Sequence, residues 1–186
     1  HLLIGVFMIV LTILLSLSAA WWLAQGVGLA LSTRSVPVLN RLNPPALPTW
    51  PKLSIIIPAR NEQAHLREAI QARLAEGYPN LEIVLVDDRS TDETPRIAAE
   101  CAQRDSRIIV TRVDELPAGW LGKVNALQQG LNRATGDWVL FSDADVMLAP
   151  GTLSKIIAWA EPECDHVAGL PSLTSNGPLI TAALGS

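Results

Sequence analysis

LEIVLVDDRSTDET, residues 81–94, passes from an apolar β-branched run to two adjacent aspartates and then to a helix start. The run LEIVLV (81–86) lacks the polar alternation of a half-exposed strand, so it reads as a strand covered on both faces, the environment a parallel sheet between helices provides. SerThrAspGlu at 90–93 predicts a capping box, with Ser90 accepting from a free helical N–H, Glu93 reaching back, and Pro95 tolerated in the first turn of a helix running to 104. The same pattern repeats on both sides. Upstream stand LSIII (53–57), a strand bounded by Pro58, and an amphipathic helix over 62–75. Downstream come RIIVT (107–111), a helix over 123–134, DWVLF (137–141), a helix over 151–160 and a fifth strand, DHVAGL (165–170). Apolar strands alternating with helices predict an α/β fold, a mostly parallel Rossmann-like sheet flanked by helices, whose ligands bind at the carboxyl ends of the strands.

The flanking sequence is of another kind. Residues 2–31 carry no charge, while the 14 Lys and Arg and 18 Asp and Glu residues all lie from Arg34 onward. Such a run exceeds the roughly 20 apolar residues that cross a bilayer, so 1–33 reads as a transmembrane helix; a signal peptide or a buried helix is the alternative. Trp21 and Trp22 suit the headgroup level, and Arg34, Arg41 and Lys52 on the far side bias the downstream domain towards the cytoplasm. Residues 34–51 are proline-rich and read as a semi-rigid linker to a domain over 52–186. The expected location is a membrane, with a single pass in this chain. A net charge of −4 and a pI near 5.3 offer no basic face and exclude nucleic acid as a partner. Cys101 and Cys164 have no metal-ligand or disulfide spacing and read as small core residues.

Polar clusters follow three of the predicted strands. In FSDADV (141–146), Asp143 and Asp145 at i and i+2 would point to one side of extended backbone with Ala144 facing away. Two hard anionic oxygens suit Mg²⁺ or Mn²⁺. The same aspartates also suit an Asx-turn that ends a strand. Asp87 and Asp88 end the run LEIVLV, where a carboxylate can accept from a ribose hydroxyl or a nucleobase N–H, or else cap a helix. Alternation does not say which of the two faces a ligand. Gly122 and Lys123 open the helix of LGKVNAL (121–127), an anion site without Walker-loop spacing, against the plainer reading of a surface lysine. Arg60, Asn61 and Glu62, after Pro58, line a nucleotide pocket or cap the first helix. His65 and His166 have no partner at useful spacing, Trp120 reads as a lid element, and Trp138 and Trp159 read as core.

The order SIIIPARNE, IVLVDDRSTDET, GWLGKVNALQQG, GDWVLFSDADV resembles the amino-terminal half of family 2 glycosyltransferases of the GT-A fold over about residues 52–170. The stretch GWLGK is similar to membrane-anchored ceramide- or hopanoid-associated members. The resemblance implies a metal-dependent, inverting transfer from a nucleotide-diphosphate sugar, UDP-sugar favoured, to a lipid or glycan hydroxyl. It implies that Pro58, Arg60, Asn61, Glu62 and Asp87 or Asp88 hold the nucleoside and that Lys123 meets the diphosphate. Asp143 and Asp145 would bind a Mg or Mn cation that bridges it. The family's catalytic base and its GlnXXArgTrp element come later in the chain, so the base is expected beyond Ser186 and the sequence reads as an amino-terminal fragment. Two other readings stand beside this one: a nucleotidyltransferase, which PARNE after the first strand disfavours, and a membrane-tethered nucleotide-sugar-binding module without complete catalysis.

Overall fold

The structure, a computed structural model, describes residues 2–34, 38–162 and 164–169. Two compact units divide the chain at Asn43 and Pro44. In the first, α1 (Leu2–Arg34) is one uninterrupted helix followed by a 3-10 turn at Leu39–Arg41. Its segment Gly5–Leu31 has mean hydropathy 2.3 and is long and apolar enough to cross a membrane.

The second unit is built on four parallel strands in the order β3-β2-β1-β4: β1 (Leu53–Ala59), β2 (Leu81–Asp88), β3 (Ile108–Val113) and β4 (Trp138–Phe141). Between them run α2 (Leu66–Ala75), α3 (Thr94–Arg104) and α4 (Gly122–Leu131), and α5 (Thr152–Ala160) comes after β4. The period of two sorts the strand side chains into two cores. Ile55, Ile57, Ile83 and Leu85 pack with Leu66, Ile70, Ala98, Leu153 and Ile157 of α2, α3 and α5. Ile56, Val84 and Val86 pack with Ala126 and Leu127 of α4 on the other face. A Cβ on Gly130 would collide with Ile56 Cγ2 and lie 3.1 Å from Val86 Cγ2, so α4 can approach the sheet this closely only with glycine there.

Several boundaries depart from expectation, each for a local reason. β1 runs on through Pro58 because its pairing with β2 continues to Ala59↔Asp87. Pro58 has no N–H to give, and in a strand that donor would point the same way as the Ile56 carbonyl, which accepts from Ser142. β4 pairs only as far as Ile56↔Phe141, so the missing donor falls where no strand remains to accept it. α2 begins at Leu66, not at 62, because residues 62–65 form a turn in which the Glu62 carbonyl accepts from both His65 and Leu66. The capping box does not form: α3 starts at Thr94, whose N–H is taken by Asp92 Oδ1 at 2.9 Å, and Ser90 is used elsewhere. Residues 165–169 form no strand, and Leu170 lies outside the described residues, as does the rest of the domain expected to reach 186. Asp165, His166 and Gly169 are poor strand formers, and no ladder to β4 holds them. Cys101 is buried, Cys164 half-buried, and Trp138 packs against the larger core while Trp159 is half-buried.

Candidate active site

The strand order reverses between β1 and β4, and all four strands end on one edge, so the crevice above β1 and β4 is the place where such sheets take ligands. The candidate residues arrive there from β1, β2, α4 and the segment after β4.

After β1, Asn61 sits in the left-handed region at φ 58°, a conformation asparagine tolerates, and locks the turn to the one after β2. Its N–H donates to Ser90 Oγ at 3.0 Å and its Oδ1 accepts from the Thr91 N–H at 2.9 Å. Glu62 N–H donates to Thr94 Oγ1 at 2.8 Å, and Gln63 Oε1 accepts from the Glu93 N–H at 3.1 Å. Asn61 and the Glu62 backbone thus lace two loops into one rim, a structural role that sequence alone did not separate from ligand binding. Arg60 is exposed beside them and, among the described residues, has no ion-pair partner. Pro58 is half-buried.

Asp87 and Asp88 lie within β2 and face opposite ways. Asp88 lies under the start of α4, where Arg89 closes on it with Nε–Oδ1 at 2.7 Å and Nη2–Oδ2 at 3.1 Å. Arg89 itself is held at φ 56°, strained for a side chain of its size. A Cβ on Gly122 would come within 2.7 Å of Arg89 Nη2 and 2.9 Å of Asp88 Oδ2, so glycine at the head of α4 leaves room for this pair. Asp87 is 1% exposed; Oδ1 accepts from the Ser90 N–H at 3.2 Å, while Oδ2 has no hydrogen-bond partner and the nearest cation, Arg112 Nε, is 3.8 Å away. A buried carboxylate oxygen short of a donor is costly to leave so, which makes Asp87 the member of the pair with capacity for a ligand N–H or O–H.

α4 begins at Gly122 with no side-chain cap, so its first-turn N–H groups are available to an anion, as the helix-start reading of Lys123 requires. Lys123 Nζ reaches Asp143 Oδ1 at 2.7 Å across the crevice. Trp120 stands exposed just before this helix.

The aspartates after β4 are not in extended backbone. β4 ends at Phe141, and residues 143–146 form a turn closed by the Val146 N–H donating to the Asp143 carbonyl at 3.3 Å. The strand alternation from which their convergence was expected is therefore absent; what the turn does give is an Ala144 buried at 4% exposure between an exposed Asp143 and an exposed Asp145. Two open carboxylates suit a hard divalent cation that keeps water and takes phosphate oxygens. Among the described residues no group of three or more His, Cys, Asp or Glu could hold a metal by itself, so a cation here would depend on an anionic ligand to complete its shell.

Sequence reasoning passed over Arg73. It is fully buried at the end of α2, with Nη1 donating to the Ala69 carbonyl at 2.8 Å and Nη2 to Ser142 Oγ at 2.8 Å and the Asp143 carbonyl at 2.6 Å. Burial lowers its pKa to about 10 against the upward pull of Asp145 and Asp143, which leaves it charged at neutral pH. The readable sign was its position: Leu66, Ala69, Ile70 and Arg73 share the buried stripe of α2, where an arginine needs a reason.

Comparison with known proteins agrees with this fold. The chain is 33% identical over 129 residues to a GalNAc(5)-diNAcBac-PP-undecaprenol beta-1,3-glucosyltransferase of Campylobacter jejuni, covering 69% of this chain and 41% of that protein. A mannosyltransferase of Pyrobaculum calidifontis, solved with GDP-Man and Mn²⁺, superposes with TM-score 0.61 and 29% identity over 78% of this chain and 42% of its own. Staphylococcus aureus TarS 1–349 with UDP-GlcNAc gives TM-score 0.52 and 27% identity over 60% of this chain and 31% of its own. The chain thus spans about two fifths or less of these relatives. Residues 54–178 match the profile of glycosyl transferase family 2, and the chain belongs to that family.

Proposed function

We propose that this chain carries the donor half of an enzyme that moves a sugar from a nucleotide-diphosphate sugar to an acceptor hydroxyl, with inversion and with a divalent cation. The observation that carries the reading is the 2.7 Å contact between Lys123 and Asp143. It brings the anion-binding start of α4 and the carboxylates after β4, 20 positions apart in sequence, to the two sides of one crevice. Asp143 and Asp145 would hold a Mg or Mn cation, which supplies charge neutralisation for the departing nucleoside diphosphate. Lys123 exchanges Asp143 for the diphosphate when the donor enters, and the N–H groups of the α4 first turn add to it. Asp87 takes a nucleoside N–H or O–H, with Arg60 and the rim of Pro58, Asn61 and Glu62 beside it. Both GDP- and UDP-sugars occur among the solved neighbours, so the uridine preference is an expectation that the binding experiment decides. The general base is assigned to none of the described residues.

The acceptor is proposed to be lipid-borne. The length and hydropathy of Gly5–Leu31 support a membrane anchor, Arg34, Arg41 and Lys52 after it favour a cytoplasmic domain, and the Campylobacter relative is named for an undecaprenol-linked substrate. Isothermal titration with UDP- and GDP-sugars, with and without Mn²⁺, tests the donor site. Binding of these diphosphate donors should tighten with the metal, and Asp143→Ala or Asp145→Ala should weaken the metal-dependent part by about 10–100-fold. Metal-independent binding that neither substitution changes would overturn the proposal.

A further inference from the structure

The segment between β4 and α5 carries both aspartates, and two residues at the end of α2 meet it, one towards each end. At the front, Arg73 binds Ser142 Oγ and the Asp143 carbonyl through one nitrogen, at 2.8 and 2.6 Å. At the back, Glu76 is 6% exposed; neither of its oxygens has a hydrogen-bond partner, and burial pushes its carboxyl pKa up against the smaller opposing pull of the nearby N–H groups of Gly151, Leu153 and Thr152 at the α5 terminus. Arg73 and Glu76 are three positions apart at the end of one helix, so they share a face. A buried guanidinium and a buried carboxyl, both set against backbone of the same loop, are an expensive way to build a core that apolar side chains could fill.

We propose that Arg73 and Glu76 are positioning residues that clamp the 142–152 segment at its two ends and thereby hold the Asp143 and Asp145 carboxylates in the spacing a divalent cation needs. The inference rests on the reading of Asp143 and Asp145 as metal ligands. It makes a prediction opposite to that of charge alone. Arg73 is a cation close to the aspartates, so if it acted only through its field, its removal would strengthen binding of another cation. If it acts by position, its removal weakens that binding.

Mn²⁺ alone, titrated against the full chain in detergent and followed by the electron paramagnetic resonance of the free ion, separates the two. Arg73→Gln should raise the Mn²⁺ dissociation constant by about 10–100-fold, the range for residues that orient metal ligands. Arg73→Lys, which keeps the charge without the planar fork, should recover only part of the loss. Hydrogen exchange should quicken over 142–152 in Arg73→Gln and Glu76→Gln while β1 and β2 stay protected, and uridine monophosphate binding without metal should hold within about twofold. Unchanged or tighter Mn²⁺ binding overturns the clamp, as does exchange that rises evenly over the whole sheet. Should Arg73→Gln fail to fold, Ser142→Ala and Glu76→Gln carry the same comparison with the guanidinium in place. A wild-type chain that does not bind Mn²⁺ removes the metal reading instead, and a selective exchange pattern would still support the clamp while an even one would overturn it.

Discussion

Asp87→Asn changes a charge and almost no volume, at the position where the structure holds a carboxylate oxygen without a donor. Oδ1 and its bond from Ser90 at 3.2 Å survive the substitution, since an amide oxygen accepts as well. What is lost is the pull of Arg112, 3.8 Å away on a side chain 54% exposed, together with the desolvation penalty of the charge. These oppose each other, and an interaction that open to water is worth at most about 1 kcal/mol, so stability should move by no more than about 1 kcal/mol. The ligand feels the change differently. A hydrogen bond from a nucleoside to a charged acceptor is worth about 1.5–3 kcal/mol, so affinity should fall by about 10–150-fold. Urea unfolding followed by tryptophan fluorescence measures the first quantity, and calorimetry with uridine monophosphate and guanosine monophosphate the second. Asp88→Asn is the control: it breaks the close pair with Arg89 at 2.7 and 3.1 Å and should act first on stability. Nucleotide affinity that stays within about twofold of wild type in Asp87→Asn, for both nucleotides, would refute the assignment of the free oxygen to the ligand.

Two further perturbations exploit the same geometry. Glu82, at the opposite edge of the sheet, accepts from Lys52 Nζ at 2.7 Å, Ser54 Oγ at 2.6 Å and the Thr135 N–H at 2.9 Å; burial pushes its carboxyl up, but these donors outweigh burial and bring it to about 2 from an ordinary 4.5. A depressed carboxyl stabilises the fold fully above its unfolded value and loses that contribution as pH falls through 4.5 towards 2. The displacement corresponds to at most about 3 kcal/mol, so the stability gap between wild type and Glu82→Gln in urea should narrow between about pH 6 and about pH 3. Parallel curves would contradict it. Lys123→Gln breaks a pair whose side chains are 60% and 53% exposed, so stability should change by less than about 1 kcal/mol. Mn²⁺ alone should then bind Asp143 more tightly while nucleoside diphosphate with Mn²⁺ binds about tenfold more weakly, and calorimetry showing both moving together would be the wrong answer.

The parallel sheet was legible because the apolar runs at 53–57 and 81–86 have no other comfortable state than burial on both faces, and the run at 107–111 repeats the pattern at the half-buried edge. The edge of the fold was less so. DHVAGL has enough apolar residues to suggest a strand, yet a strand is made by its neighbour as much as by its own residues, and β4 offers residues 165–169 no ladder. At the site, the carboxyl-end rule put Arg60, Asp87, Asp88 and Asp143 after or at the ends of their strands, and the structure brings Lys123 from the head of α4 to Asp143. The rule did not divide their labour. Ser90 looked like a helix cap and proved to be the acceptor that ties Asn61 down, a partnership between residues 29 apart that no local pattern encodes. Arg73 was missed for the same reason: its position on the buried stripe was visible, but its partners after β4 lie 69 and 70 positions away.

Pro58 has a consequence for the shape of the crevice. β4 leaves the sheet after Phe141, and its last rung is the Ser142 N–H on the Ile56 carbonyl at 3.1 Å. Any other residue at 58 would offer the next N–H along that side, and the chain after β4 could zip on by a further rung. Each added residue would advance the pairing by about 3.3 Å and draw Asp143 to Asp145 down into the ladder. Proline makes that slip worthless. Where two strands part above the sheet, an imino acid acts as the stop on the zipper, and the height of the fork is set by a hydrogen that is not there.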